Sequence, residues 1–336
     1  MTVTVLDECL WPGLDEDIYH ADPVPSGSLS QSGARYLLPP YTPAHFDHYR
    51  RHPRKSSKAQ ELGSAAHTEL LGTGVPIEVY PEPDDLPEEE RVKDYNRKDP
   101  QAWKRKVQAA GRIPLLYHQA QALKKMVAKV RAHPDASALL TPGEGVAEAS
   151  FFCIDDETGV WRRGRADFIR GVVAREGRVH VLDGRVIIVD YKTKGKGTAH
   201  PSSFARDVWE YGYFIQGPWY GDCVKAVCDL DEPPEFWWVV QETEPPYLVN
   251  CFTLDWADEE WGRRCARAAL RRYADCAAAG AWPEHERDKK PIELPRYGHY
   301  VLREWEQAGL FYDRRYDTPT PGAAAPGLYD DTYRGW

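Results

Sequence analysis

Residues Val186-Ile187-Ile188-Val189 form an unbroken run of β-branched side chains, and Asp190-Tyr191-Lys192 follows at once. Such a run reads as a buried strand. Side chains alternate faces along a strand, so Asp190 and Lys192 leave one face while Tyr191 leaves the other. A carboxylate and an ammonium therefore share one face at the end of a core strand. A second acid sits in the same kind of place, within Arg165-Ala166-Asp167-Phe168-Ile169, where apolar alternation would prefer another residue.

Pairing of the two strands would set Asp167 beside Asp190. Like charges at contact distance repel, and burial worsens the repulsion, so such a pair usually shares a cation. Oxygen donors favour a hard divalent ion, Mg²⁺ or Mn²⁺, and no cysteine or histidine cluster favours zinc. Lys192 is then placed to donate to a phosphate oxygen or a nucleophilic water. These are the parts that metal-assisted phosphodiester hydrolysis needs. The bland alternative for Asp190 and Lys192 is a surface ion pair.

The rest of the chain reads as helices followed by strands. Residues 1–27 are acidic and proline-containing and read as an irregular arm. SLSQSGARYLL predicts a helix with Ser28 or Ser30 as its cap, and Thr42-Pro43 predicts another. SKAQELGSAAHTELL has helical spacing with small residues that permit close packing, and Leu115 to Ala132 is amphipathic. Residues 73–112 are polar, with the acidic stretch PEPDDLPEEE, and read as an inserted surface region that orders with a partner. From about residue 145 the period becomes that of strands, with Asp183-Gly184 as a hairpin turn. Phe204 to Val227 and Trp256 to Ala279 read as helices around a strand pair, and residues 313–336 read as a tail.

Composition excludes several classes. Of 336 residues 42% are apolar and 28% charged, as in a folded globular chain. The formal charge of −9 argues against a general nucleic-acid coat but not against a local basic groove. No apolar run is long enough to span a membrane and the N-terminus lacks an apolar leader, so a cytoplasmic protein is expected. The seven cysteines, at 9, 153, 223, 228, 251, 265 and 276, contain no CxxC, and we expect reduced thiols. Basic runs at Arg50–Lys58, Lys104–Lys106, Arg162–Arg165 and Lys192–Lys196 would ordinarily be solvated faces, but beside a phosphodiester site they could track phosphates.

Gly164-Arg165-Ala166-Asp167-Phe168-Ile169, followed 23 residues after Asp167 (190 − 167) by Asp190 in Ile188-Val189-Asp190-Tyr191-Lys192-Thr193, resembles motifs II and III of the PD-(D/E)xK nuclease superfamily, in its RecB-like exonuclease branch. Gly63-Ser64-Ala65-Ala66-His67 is similar to that branch's GxxxH helix, and Gln216-Gly217-Pro218-Trp219-Tyr220 to its QxxxY motif. LSQSGARYLL with TPAHF, ETEPPYLVNCFTL, and WPEHE with IELPRY resemble the RecE-type (exonuclease VIII) nuclease domain and its phage homologues. The likeness covers roughly residues 28–300 and is strongest over 145–225.

The resemblance implies a restriction-endonuclease-like α/β core over residues 28–312, a central mixed β-sheet flanked by helices. It implies His67, Asp167, Asp190 and the Tyr191 carbonyl as metal ligands, and Lys192 as the catalytic lysine. Glu148 matches an acid that commonly precedes motif II; Gln216 and Tyr220 match a substrate-side motif, and Arg165 and Lys194 stand beside them. Pro218 inside QxxxY departs from the pattern and is expected to kink that helix. The activity implied is Mg²⁺-dependent digestion of linear double-stranded DNA from its ends, 5′ to 3′, with Mn²⁺ as substitute and one or two ions per site. The 3′ single strands left would go to a RecT-like annealing protein, and a homo-oligomeric ring is implied. The rivals are an endonuclease or single-strand nuclease of a defence system, and a non-catalytic DNA-binding derivative.

Overall fold

A computed structural model describes residues 3–52, 58–83, 85–175, 178–182, 185–285, 291 and 293–308. In chain order the N-terminal half comprises β1 (Cys9–Pro12), α1 (Glu16–His20), β2 (Ser28–Ser30), α2 (Gln31–Arg35), α3 (Pro43–Arg51), α4 (Lys58–Leu71), β3 (Ile77–Val79), α5 (Lys98–Ala109), β4 (Ile113–Leu115), α6 (Tyr117–Ala132) and α7 (Pro134–Leu139). There follow β5 (Gly145–Ile154), β6 (Trp161–Arg170), β7 (Val172–Arg175), β8 (Arg178–Val181), β9 (Ile187–Lys194), α8 (Pro201–Glu210), α9 (Gln216–Cys228), β10 (Glu235–Glu242), β11 (Val249–Phe252), α10 (Trp256–Ala279) and α11 (Arg296–Gln307). The chain divides into two compact units, Met1–Glu284 and His285–Trp336. Of the second, the described part is chiefly α11, and the expected tail at 313–336 lies outside the described residues.

The first unit is built on one mixed sheet in the order β1-β5-β6-β9-β10-β11. β5, β6 and β9 are antiparallel, β10 joins β9 in parallel, and β11 returns antiparallel. Along one edge of β6, β9 pairs at 168–170 and β2 at 161–163, which leaves 164–167 without a strand partner on that side among the described residues.

Helices cover both faces of the sheet, as a strand apolar on both sides requires. On one face Phe151, Ala166 and Ile188 pack with Trp219, Cys223 and Val224 of α9 and with Ala269 and Leu270 of α10. On the other, Phe168, Val189, Tyr191 and Val239 pack with Ala65 and Ala66 of α4 and with Met126 and Val130 of α6. Even-numbered residues of β9 thus face α9 and odd-numbered ones face α4 and α6.

Local chemistry explains several boundaries. Ser30 caps α2, its hydroxyl accepting from the Gly33 N–H at 3.1 Å, so the expected helix starts only after the short strand β2. His133 and His200 accept backbone N–H groups at the starts of α7 and α8. Gly212, at φ +70°, breaks the helix expected over Phe204–Val227 into α8 and α9. Pro218 falls in the first turn of α9, where no helical bond needs its N–H, and α9 continues past it to Cys228.

Two expectations are corrected. The arm over 1–27 is not irregular: β1 pairs with β5, and Val5, Leu14, Tyr19 and Val24 bury against Phe152. The region 73–112 carries β3, which pairs in parallel with β4, and α5, whose Lys104 bonds Glu61 of α4 at 2.7 Å. Buried contacts such as Arg91 over the Tyr117 ring at 3.6 Å supply the order that its composition hid. Cys153 of β5 and Cys223 of α9, 70 residues apart in sequence, are brought sulfur against sulfur by the packing of α9 on the sheet. The Asp183-Gly184 turn lies outside the described residues.

Candidate active site

Register places three carboxylates in one row across adjacent strands. Ala147 pairs with Phe168 and Ala149 with Ala166, so Glu148 of β5 stands opposite Asp167 of β6. Phe168 pairs with Val189, so the next step sets Asp167 opposite Asp190 of β9. The strand-pair ladder ends at that step, because the Asp167 side chain takes over: its Oδ2 accepts the Tyr191 N–H at 2.7 Å. Glu148 has φ +50°, a conformation costly for a residue with a Cβ and one that tends to persist at functional sites.

α4 brings His67 to this row. Its Nδ1 lies 2.9 Å from Glu148 Oε1 and its Nε2 3.1 Å from Asp167 Oδ1. Gly63, one turn earlier, makes the approach possible: a Cβ there would stand 2.6 Å from the Thr193 hydroxyl of β9. Burial opposes a charge on His67, but Asp167 and Glu148 outweigh it and raise its pKa to about 10.

Asp190 is fully buried, and its Oδ1 accepts from Gln216 Nε2 at 2.6 Å. Its Oδ2 is ion-paired with Lys192 Nζ at 2.5 Å. Burial, then Asp167, hold Asp190 above the usual carboxylate range against the pull of Lys192. Asp167 moves the other way: burial would raise it, yet His67, Lys192 and the Tyr191 N–H hold it down. Lys192 keeps its proton, since Asp190, Tyr213 and Asp167 outweigh the effect of burial.

His67, Asp167 and Lys192 line a cleft of about 580 Å³ with Glu148, Arg165, Tyr191, Thr193 and Tyr220, and Asp190 is buried behind Lys192. Tyr191 turns its phenol to the opposite face, where it donates to Gln241 Oε1 at 2.5 Å in the core. Tyr220 is buried edge-on against Phe151, with its ring at the cleft.

Several residues expected at the substrate are engaged elsewhere. Gln216 is buried and holds Asp190 rather than facing outward. Arg165 donates from Nε to Glu148 Oε2 at 2.5 Å and from Nη1 to the Leu14 carbonyl at 2.7 Å, so it steadies an acid. Lys194 is buried in an ion pair with Asp207 of α8. Arg162 donates to the Trp219 carbonyl, Arg163 pairs with Asp22, and Lys104 is tied to Glu61. The basic runs therefore supply structural partners more than free cations.

Other cleft residues gave no signal in the sequence. Glu16, Tyr19 and His20 come from α1, inside the supposed irregular arm, and Tyr213 lies beneath Lys192, whose Nζ is 4.8 Å from the ring centroid.

The donor set, three carboxylates and an imidazole, fits a hard divalent cation in chemical type. Among the described residues no three such side chains form a ready coordination shell. In this arrangement the His67 ring itself bridges Glu148 and Asp167, taking positions that a cation would use.

No family model matches the chain, and no curated protein matches it in sequence. In fold it is similar to the crystal structure of a protein from Eubacterium rectale described as a "Putative exonuclease", at 12% identity and a TM-score of 0.51, over 86% of this chain and 97% of that one. A second structure, of SSO0001, overlaps 46% of this chain and 68% of its own at 14% identity, with a TM-score of 0.24, too slight a likeness to bear on the fold. The first likeness is one of architecture: a mixed α/β fold with a central sheet between helices.

Proposed function

We propose that the chain is a divalent-metal-dependent deoxyribonuclease. The observation that carries this reading is the row Glu148–Asp167–Asp190 with Lys192 beside Asp190 and His67 between the first two acids. Glu148, Asp167, Asp190 and His67 would hold Mg²⁺ or Mn²⁺, with the Tyr191 carbonyl as a further donor. When bound, the ion would supply Lewis-acid stabilisation of charge on the phosphate and lower the pKa of the attacking water.

The chain's own residues do the rest. The Lys192 ammonium, held charged, donates to the oxygen on which charge builds. Gln216 fixes one oxygen of Asp190 and leaves the other toward Lys192. The Tyr191 N–H fixes Asp167, and Arg165 fixes Glu148, so each acid is restrained from behind by a donor.

The finer reading is an exonuclease that starts at ends of linear double-stranded DNA and runs 5′ to 3′. It would leave 3′ single strands for an annealing protein of RecT type and act as a homo-oligomer. Support comes from the motif resemblance together with the exonuclease-like architecture. Incubation of closed-circular and linear duplex with Mg²⁺, and with EDTA as control, tests it. Digestion of the linear form alone, with loss of 5′ label first, is expected. Cutting of closed circles would replace the exonuclease by the endonuclease alternative.

A further inference from the structure

A second concavity, of about 370 Å³, lies outside the acid cleft between α8, the turn before α9, β11 and the start of α10. Its walls are apolar, with Phe204, Val208, Phe214, Trp238 and Leu254 prominent. Trp209, 77% exposed, stacks on Phe214 with ring centroids 5.7 Å apart, and Trp261, 59% exposed, stands at the rim. Two large aromatic side chains left in water around an apolar groove mark an interaction surface rather than scattered apolar exposure.

The rim charge selects the occupant. Asp258 lines the groove and forms no ion pair among the described residues, while Asp255 caps α10 and Glu259 and Glu260 are paired. The nearby cations are already engaged: Arg263 with Asp222 and Glu259, and Arg264 with Glu260 and the Trp261 ring. Bases could stack on exposed tryptophans, but nucleic-acid binding draws most of its affinity from cations on phosphates, and the lining of this groove holds no cation and one unpaired carboxylate, Asp258. A segment with bulky apolar anchors flanked by Lys or Arg satisfies both the walls and the rim.

We propose that this groove docks a cationic, apolar-anchored segment of another protein. The inference goes beyond the nuclease reading and does not rest on it. Phe214 adjoins Tyr213, which lies beneath Lys192, so a docked segment sits one residue along the chain from the lining of the acid cleft.

The test is calorimetric titration of the full chain with a synthetic amphipathic peptide carrying Leu and Trp anchors at helical spacing and Lys elsewhere. Its counterpart with Glu for Lys and a single-stranded oligothymidylate are titrated in parallel. The Lys peptide is expected to bind, and Trp209→Ala and Trp261→Ala are each expected to weaken it roughly tenfold or more. Asp258→Lys, which leaves the apolar walls intact, should weaken it as well, while DNA cleavage stays unchanged in all three variants. Absence of binding by the Lys peptide, equal binding of the Glu peptide, or preferential binding of the oligothymidylate would overturn the proposal. So would self-association that Trp209→Ala abolishes, because the occupant would then be a second copy of this chain.

Discussion

Gln216 donates to Asp190 across 2.6 Å inside the core, although the two are 26 residues apart and on different elements. The bond gives this glutamine a structural task, to hold one oxygen of the buried acid while the other points to Lys192. Replacing it with Leu leaves that oxygen buried and unbonded, a cost of about 1–3 kcal/mol. Nuclease turnover should fall about 10–100-fold, as for other partners of metal-holding carboxylates. Single-turnover cleavage with a thermal melt of the same variant measures both, and unchanged cleavage would remove Gln216 from the site.

Arg165 separates positioning from substrate contact. Its guanidinium is shared by Glu148 and the Leu14 carbonyl, so Arg165→Ala should raise the Mg²⁺ concentration needed for half-maximal cleavage by about tenfold while DNA affinity holds. Metal titrations at saturating DNA check this. A loss confined to DNA affinity, with an unchanged metal requirement, would return Arg165 to the substrate.

Much of this site could be seen in the sequence because strand alternation and helix spacing are local rules. Asp190 and Lys192 share a face by parity alone, and Gly63 and His67 lie one turn apart. What stayed hidden depends on distant pairing. Nothing local to Cys153 announces Cys223, and nothing in an acidic N-terminal stretch announces that β1 edges the main sheet and α1 lines the cleft. Basic runs misled for the same reason: Arg163, Lys104 and Lys194 look like a surface until Asp22, Glu61 and Asp207 are folded against them. The matching motifs located the acids but not which partner each one has.

His67 makes the stability of the metal-free chain depend on pH. Its folded pKa, raised to about 10, exceeds the ordinary value of about 6.5, so the folded state binds the proton more tightly. The stabilisation is fully present below about 6.5 and is lost as pH rises toward 10. Denaturant unfolding in EDTA across that window should show falling stability, and His67→Asn should flatten this part of the profile. A profile identical to that of the parent would mean that the imidazole is not held between the two acids.

Gly63 sets the distance between α4 and β9. With a Cβ already only 2.6 Å from the Thr193 hydroxyl, Gly63→Val must push the helix or the threonine aside and carry His67 with it. A cost of about 1–3 kcal/mol in stability and a loss of cleavage are expected. Gly63→Val combined with Thr193→Ala should recover part of both; melts and cleavage assays of the pair measure the coupling.

Lys194 is expected to behave as a structural residue. Breaking its buried pair with Asp207 by Lys194→Ala should cost about 3–5 kcal/mol of stability and leave the DNA dependence of the remaining activity unchanged. A stable variant with weakened DNA binding would restore it to the substrate path.

The most direct measurement is cleavage of linear duplex DNA by Lys192→Ala in the presence of Mg²⁺, with binding of the same duplex followed in parallel. The expected result is DNA binding close to that of the parent and cleavage reduced by at least about a hundredfold. Parental cleavage by the variant would contradict the assignment of Asp190 and Lys192 as the reactive edge of the sheet.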